Sequence, residues 1–223
     1  MLTICSARAT ARPCANRSFA AAPKPRLRVK TAFMGEQVDL YSNGVFDFKQ
    51  SPRIKQGDSL PLDETLMVLE EGSSEPKSVT LKELVGGKRA VLFGLPGAYT
   101  SVCSSKHVPN YVERSKELSE QGVQVVACLS VNDPWVMRDW AKNMGVDTNV
   151  VHMMADGEGM LHSKLGLLQH MPGLGVRALR YSMLVDDGKV TVLNVEEPGG
   201  KSYKISGPGH MLEDLARVKG QQA

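Results

Sequence analysis

Two apolar segments, separated by about the length of one helix, constrain the fold of this chain more than any other feature. The first is RAVLFGL, Arg89–Leu95, which runs into a Pro-Gly pair. The second is VQVVACLSV, Val123–Val131. Near-continuous apolar runs of this length are typical of strands buried on both faces, and parallel strands of this kind are joined by a crossover helix. The two segments therefore predict a β-α-β unit at the centre of the chain.

Two helices are predicted around the second strand. The first covers Cys103–Gln121 and stops at Gly122; Pro109 is expected to kink it, because proline cannot donate a backbone hydrogen bond. The apolar side of this helix consists of Val108, Tyr111, Val112 and Leu118. The second helix opens where Asp133 can cap it and Pro134 fits the first helical position. Its predicted apolar side consists of Trp135, Val136, Trp140 and Met144, and Gly145 ends it.

The remaining elements complete an α/β fold. Asp186–Asp187–Gly188 predicts a hairpin turn between two apolar strands. The other predicted strands are Thr65–Leu69, Ser78–Leu81, Val150–Met154, Leu179–Val185 and Lys189–Val195, and the other predicted helices are Glu158–Leu165 and His210–Val218. A β-α-β unit followed by a hairpin and a final helix is the thioredoxin-like arrangement, a central mixed sheet with helices on both faces.

The basic charge of the chain is concentrated at its N-terminus. Residues 1–30 hold seven basic side chains and no acidic one, and the first carboxylate is Glu36. Removing those seven from the 27 basic residues leaves 20 against 24 acidic ones, so a nucleic-acid-binding surface is not expected. The Ala-, Arg- and Ser-rich composition of residues 1–30 predicts an organelle transit peptide, the alternative being a basic arm that stays attached. Composition does not decide between plastid and mitochondrion.

The rest of the chain is predicted to form one domain, residues 54–223, preceded by an irregular arm at residues 31–53. No apolar run reaches the roughly 18–20 residues that span a bilayer, so no membrane association is expected. Four cysteines in 223 residues are too few for a disulfide scaffold, and two of them, Cys5 and Cys14, lie in the predicted transit peptide. The histidines show no metal-ligand spacing, so no metal is predicted.

Cys103 is the residue most clearly placed for chemistry. It stands where the strand, after a Pro-Gly turn, meets a predicted helix start, whose free amides and dipole favour thiolate over thiol. Thr100 is three residues away and Pro96 shapes the turn. The alternative is an inert, buried cysteine. A C-x-x-C dithiol is absent, because residue 106 is Lys106, and this weakens a disulfide isomerase interpretation.

The segment PGAYTSVCSSKHVP, Pro96–Pro109, resembles the active-site segment of the type II (atypical two-cysteine, peroxiredoxin-5-like) peroxiredoxins of plant and algal organelles. These are thiol peroxidases with a thioredoxin-like fold. The similarity continues through Gly122–Lys142 and Gly173–Glu196 and covers about Ile54 to Gln221. The resemblance implies an enzyme that reduces hydrogen peroxide and organic hydroperoxides, without a bound cofactor.

The resemblance also assigns site residues. Cys103 corresponds to the peroxidatic cysteine, which attacks a peroxide oxygen and becomes a sulfenic acid. Thr100 corresponds to the threonine that binds thiolate and peroxide, and Pro96 to the proline that shields the sulfur. Arg180 corresponds to the arginine that stabilises the moving charge, with Arg177 as a second, supporting candidate.

Two further residues are left with alternatives. His107 either forms a hydrogen bond near the site or packs. Cys128 either packs in the core or resolves the sulfenic acid, since plant and algal members place the resolving cysteine 25 residues after the peroxidatic one, which is its spacing from Cys103. A disulfide between the two would require the first helical turn to unwind. Direct attack by glutathione is the competing route.

The resemblance implies several partners. The reductant is glutaredoxin with glutathione, or thioredoxin, and the chain is expected to form a homodimer with Trp135 a candidate contact. The expected location is the chloroplast, with the mitochondrion as alternative. The rival interpretation is a redox sensor whose Cys103 reacts without turnover; the filled Thr100 and Arg180 positions favour turnover.

Overall fold

The computed structural model describes residues 27–30, 37–40 and 50–222. The chain divides into two units, residues 1–47 and 48–223. In the first unit, strand β1 (Leu27–Lys30) pairs antiparallel with β2 (Gln37–Leu40). This hairpin spans the boundary predicted at residue 30, and within the predicted irregular arm residues 37–40 are a strand. The division of residues 1–53 into transit peptide and arm stays a prediction, and most of it lies outside the described residues.

A seven-stranded mixed sheet forms the centre of the second unit. Its strands are β3 (Thr65–Val68), β4 (Lys77–Thr80), β5 (Arg89–Leu95), β6 (Val125–Ser130), β7 (His152–Ala155), β10 (Tyr181–Asp186) and β11 (Lys189–Val195). They lie in the order β11-β10-β5-β6-β7-β3-β4. Strands β5, β6 and β7 are parallel neighbours, and the other pairs are antiparallel. The predicted β-α-β unit and the central mixed sheet are confirmed.

Helices cover both faces of this sheet. They are α1 (Leu81–Val85), α2 (Val108–Glu113), α3 (Ser115–Glu120), α4 (Pro134–Asn143), α5 (Met160–Lys164) and α6 (Pro208–Gln222). Alternate residues of β5 enter different apolar cores: Ala90 and Leu92 pack with α1 and α5, whereas Val91 and Phe93 pack with α2, α3, α4 and α6. Because β5 is buried on both faces, its end is a rigid support for the loop that follows. Within the described residues no helix is long and apolar enough to cross a bilayer.

The segment after β5 departs from the predicted continuous helix over Cys103–Gln121. The chain forms a π-helix at Cys103–His107, then α2, and α3 after a break at Arg114. The amide that follows the π-helix donates to the carbonyl five residues earlier. Pro109 has no amide to donate to the turn before it, which accounts for an irregular turn here. π-turns of this kind occur frequently at functional sites.

Two other local predictions need correction. The strand predicted at Ser78–Leu81 ends at Thr80, because Thr80 and Glu83 form a capping box that starts α1 at Leu81. In α4, Asp133 caps the helix as predicted. Trp135, however, is 50% exposed and does not belong to the buried side. The buried residues of α4 are Pro134, Met137, Trp140 and Ala141.

A two-stranded hairpin, β8 (Leu168–Met171) with β9 (Gly175–Ala178), was not predicted. Its strands carry glutamine, histidine, arginine and glycine, so they lack the apolar alternation that marks a strand in sequence. The hairpin precedes β10 directly. It therefore lies next to the point at which Arg180 enters the site.

Candidate active site

Cys103 is fully buried at the first position of the π-helix. The loop that joins it to β5 is fixed by Asn132, whose Oδ1 accepts from the amide of Ala98 at 3.0 Å and from the hydroxyl of Ser130 at 2.7 Å. Ser130 is the last residue of β6, and Asn132 lies just before α4. The carboxyl ends of the two parallel strands therefore carry the loop that presents the sulfur.

Helix α4 holds the same segment on both sides of Cys103. Tyr99, in a left-handed conformation with φ 60°, donates its hydroxyl hydrogen to Asp139 Oδ2 at 2.9 Å and accepts from Asn143 Nδ2 at 2.7 Å. On the other side, Trp140 Nε1 donates to the hydroxyl of Ser104 at 3.1 Å. These contacts restrain the π-helix without touching the sulfur.

Arg180 is buried, 2% exposed, and points its guanidinium at Cys103. Its Nη2 lies 3.4 Å from the Cys103 sulfur and also donates to the carbonyl of Gly200 at 2.7 Å. Its Nη1 donates to His107 Nδ1 at 3.0 Å. The Nε hydrogen has no partner among the described residues. Three contacts thus fix the guanidinium and leave its buried Nε nitrogen without a partner.

His107 is an uncharged support for Arg180. Burial first, and the nearby guanidinium second, lower its pKa to about 3, so the ring is neutral at neutral pH. Arg180 can only donate, hence Nδ1 accepts from it; the Ser206 carbonyl can only accept, hence Nε2 carries the proton and donates to it at 3.1 Å. Of the two alternatives for this histidine, the structure has the hydrogen bond near the site.

The other predicted site residues contact the segments next to this pair. The Thr100 hydroxyl donates to the carbonyl of Gly97 at 2.9 Å, which leaves its oxygen free to accept from a ligand. Pro96 is buried against the loop at Gly200. Arg177 donates from Nη1 to the carbonyl of Val131 at 2.5 Å and makes no described contact with Cys103. Arg180, not Arg177, is therefore the cation at the sulfur.

Cys128 is buried in the middle of β6, beside Phe93 of β5. Cys103 and Cys128 are not joined in a disulfide, and both belong to one apolar cluster. Burial first, and the neighbouring Cys103 second, raise the pKa of Cys128 well above its usual value, an effect that Arg180 offsets only in part. In this folded arrangement Cys128 is a protonated core thiol and a poor nucleophile.

The structure adds site residues that the sequence did not reveal. Gly200 and Ser206 supply the carbonyls that hold Arg180 and His107, and the buried carboxylate of Glu196 organises the loop between them. Backbone carbonyls leave no mark in side-chain chemistry. The only sequence signal for this loop is a Glu-Glu-Pro-Gly-Gly run after a strand, which by itself indicates a turn.

A buried thiol at a helix start, paired with a fixed guanidinium and flanked by a threonine hydroxyl, can attack an electrophile and stabilise the charge that leaves. No cluster of metal-ligating side chains occurs in the part of the chain that the structure describes. On this thioredoxin-like sheet, the arrangement defines a thiol-dependent peroxidase. The family model described as Redoxin matches residues 55–206. The chain belongs to this family and, within it, to the type II peroxiredoxins.

The similar proteins support this assignment. The chain is 42% identical over 205 residues to the chloroplastic peroxiredoxin-2E of Arabidopsis thaliana, covering 89% of this chain and 85% of the relative. It is 40% identical over 149 residues to the mitochondrial peroxiredoxin-2F of the same plant, covering 66% and 73%. The crystal structure of reduced Prx3 from Vibrio vulnificus in complex with H2O2 matches with a TM-score of 0.67 and 37% identity, covering 73% and 99%. The chain is a thiol peroxidase with an antioxidant function.

Proposed function

We propose that Cys103 is the peroxidatic residue and reacts as a thiolate. The sulfur attacks the hydroxyl oxygen of HO–OR, so that an S–O bond forms as the O–O bond breaks. Sulfur loses two electrons and becomes the sulfenic acid, while the departing RO⁻ takes a proton from solvent and leaves as water or an alcohol. The Vibrio vulnificus relative in complex with H2O2 supports hydrogen peroxide as a substrate, and organic hydroperoxides fit the same reaction.

The observation that carries this proposal is the approach of Arg180 Nη2 to within 3.4 Å of the buried Cys103 sulfur. In the reaction, negative charge moves from sulfur to the leaving oxygen, and donors fixed beforehand stabilise that charge without reorganising. The unused Nε donor of Arg180 is available for a peroxide oxygen. A guanidinium suits this role because its planar donors can serve sulfur and substrate together.

The neighbouring residues have subsidiary roles in this proposal. The Thr100 hydroxyl oxygen accepts a hydrogen bond from the peroxide while the hydroxyl itself donates to the carbonyl of Gly97. Pro96 keeps water from the sulfur. His107 positions the guanidinium. Arg177 supports the site only indirectly, by joining β9 to the end of β6 through the carbonyl of Val131.

Peroxide consumption with a thiol reductant tests the assignment of Cys103. We expect sustained turnover by the wild type, no turnover by Cys103→Ser, and turnover by Cys128→Ser with glutathione and glutaredoxin. A sensor would oxidise Cys103 once per chain and then stop, even with reductant in excess. That outcome, or turnover in Cys103→Ser, would refute the enzymatic role of this residue.

We further propose that Cys128 resolves the sulfenic acid within the chain. Because Cys128 is buried and protonated, the reaction requires the π-helix around Cys103 to unwind and bring the two sulfurs together. Mass spectrometry of peroxide-treated wild type and Cys128→Ser tests this. An internal disulfide in the wild type alone supports the role. Full turnover with glutaredoxin and no disulfide in the wild type would assign resolution to glutathione.

The reductant is proposed to be glutaredoxin with glutathione, or thioredoxin. Both act on oxidised cysteines, and the burial of Cys103 implies that the oxidised site opens before either one reacts. Parallel assays with each reductant, at matched peroxide, distinguish them. The preferred reductant is the one that gives the higher rate, and no turnover with either would contradict the proposal.

A homodimer in the chloroplast is the proposed setting. Trp135 and Tyr99 are large aromatic side chains that are 50% and 52% exposed. Exposed aromatics of this kind are enriched at interfaces. Sedimentation of wild type and Trp135→Glu tests the dimer, with a monomeric variant expected.

For the location, the chloroplastic relative favours the plastid, and the mitochondrial relative favours the alternative. Fusion of residues 1–30 to a fluorescent protein decides between the two organelles.

A further inference from the structure

The loop at residues 199–206, which we call the guanidinium loop, contacts the catalytic arginine directly through Gly200 and indirectly through His107. The carbonyl of Gly200 accepts from Arg180 Nη2 at 2.7 Å. The carbonyl of Ser206 accepts from His107, which in turn accepts from Arg180 Nη1. Apart from the sulfur itself, the described hydrogen-bond partners of the guanidinium are therefore a carbonyl of this loop and a histidine that is hydrogen-bonded to it.

One buried carboxylate holds the loop in place. Glu196 is 4% exposed, and its Oε1 accepts from the amides of Lys204, Ile205 and Ser206 at 2.5, 2.8 and 3.0 Å. The Ser206 hydroxyl donates to the same oxygen at 3.0 Å, and the Ser202 hydroxyl donates to Oε2 at 2.7 Å. Burial by itself would raise the pKa of this carboxyl, but these hydrogen bonds outweigh it and lower the pKa to about 2.

Glu196 is also tied directly to the arginine. Its backbone amide donates to the backbone carbonyl of Arg180 at 2.9 Å, so the two side chains extend from backbone segments that are hydrogen-bonded to each other. At the other end, the Ser206 carbonyl accepts from the hydroxyl of Tyr111 at 3.0 Å as well as from His107. A continuous path of hydrogen bonds thus runs from Glu196 through Ser206 and His107 to Arg180.

We propose that Glu196 is a positioning residue of the peroxidase site: its carboxylate holds the guanidinium loop so that Gly200 and His107 keep Arg180 against the Cys103 sulfur. This inference rests on the proposed function of Cys103 and Arg180. Glu196 touches neither the sulfur nor the peroxide. Its effect on rate follows from the sensitivity of preorganised donors to small displacements.

Glu196→Gln tests the role with little change of shape. The amide oxygen can take the place of Oε1 while the NH2 donates to the Ser202 hydroxyl, so the hydrogen bonds to the backbone lose the negative charge that strengthens them. We expect the second-order rate constant for oxidation of Cys103 by H2O2 to fall about 10–100-fold. The ultraviolet absorbance of the thiolate at neutral pH should fall with it. Glu197→Gln is the matched control, because Glu197 is the exposed neighbour, and it should leave both readouts unchanged.

The outcomes separate this inference from the proposed function. If the wild type does not oxidise Cys103 with H2O2, the proposed function fails. If the wild type reacts and a folded Glu196→Gln protein, judged by circular dichroism, reacts equally fast with the same thiolate absorbance, only the role of Glu196 is refuted. Should Glu196→Gln fail to fold, Glu196→Asp decides: it keeps the charge but withdraws it by one methylene, and an undiminished rate would overturn the proposal.

Discussion

At the scale of single residues, Arg180 contributes geometry as well as charge. Lysine would keep the cation but has one nitrogen, which cannot serve the Cys103 sulfur, the Gly200 carbonyl and His107 in the arrangement that the guanidinium adopts. We expect Arg180→Lys to lower the second-order rate constant with H2O2 by about 10²–10³, the usual effect of removing a preorganised donor. Stopped-flow measurement of Cys103 oxidation checks this.

Arg177→Lys is the control for that substitution. Arg177 lies near Gly97, in the loop before Cys103, but it donates to the carbonyl of Val131 and not to the sulfur, so we expect a rate close to that of the wild type. Equal losses in both variants would show that any cation change in this region disturbs the site. No loss in Arg180→Lys would show that charge alone suffices.

A second residue-scale prediction concerns Gly94, at the end of β5. A Cβ at this position would lie 2.0 Å from Cε1 of Tyr181. The tyrosine ring is fully buried and its hydroxyl is hydrogen-bonded to His162 Nε2 at 3.1 Å, so it has nowhere to move. We expect Gly94→Ala to lower the free energy of unfolding by about 1–3 kcal/mol, the usual cost of overpacking. Gly157→Ala, whose Cβ would meet nothing nearer than 3.6 Å, is the control in urea denaturation. Equal midpoints for the two variants would contradict the argument.

At the scale of elements, the sequence predicted the strands and helices that have a clear apolar or capping pattern, and it missed the π-helix, which has none. The parallel pair β5 and β6 is marked by two apolar runs, and Asp133 and Pro134 mark the start of α4. The prediction put Trp135 and Trp140 on one side of α4. Five residues correspond to about 140° around a helix, so the two side chains lie on different sides. The π-helix has no such signature, because it depends on how Pro109 meets the turn before it.

The candidate site also contains residues that could be predicted from the sequence and residues that could not. Its sulfur and guanidinium are 77 residues apart, and only the resemblance to a family, not any period or spacing, joined Cys103 to Arg180. Glu196 was missed because its main partners are backbone amides, which any sequence supplies. Contacts of this kind are settled by how a loop folds back, which is tertiary information.

The hydrogen bonds between α4 and the segment around the π-helix lead to a prediction at the scale of elements. Tyr99→Phe removes the hydrogen bonds to Asp139 and Asn143 together. Since each such bond contributes about 0.5–1.5 kcal/mol, the loss of both is expected to make hydrogen exchange at the amides of Cys103–His107 about 5–150-fold faster. The amides of Val125–Ser130 serve as an internal control and should not change. Unchanged exchange in the π-helix would mean that the tyrosine hydroxyl does not restrain it.

At the scale of the whole molecule, two groups of the site make the fold sensitive to acid. His107 is neutral in the folded chain down to a pKa of about 3, whereas the unfolded histidine binds a proton below about 6.5. Glu196 keeps its charge down to a pKa of about 2, whereas the unfolded carboxyl is protonated below about 4.5. In both cases the unfolded chain takes up the proton first as the pH falls, so both groups favour unfolding in acid.

The order of these two steps gives the last prediction. From pH about 6.5 to about 3, His107 lowers the free energy of unfolding by about 1.4 kcal/mol per pH unit, and Glu196 adds a similar slope from about 4.5 to about 2. Urea denaturation at a series of pH values measures these slopes. His107→Gln should flatten the upper part of the curve and leave the steep part at lower pH, and Glu196→Gln should do the reverse. Parallel curves for the wild type and both variants would show that acid unfolds the molecule through other groups, and that the hydrogen-bonded path from Glu196 to Arg180 is not where the fold is most sensitive to protons.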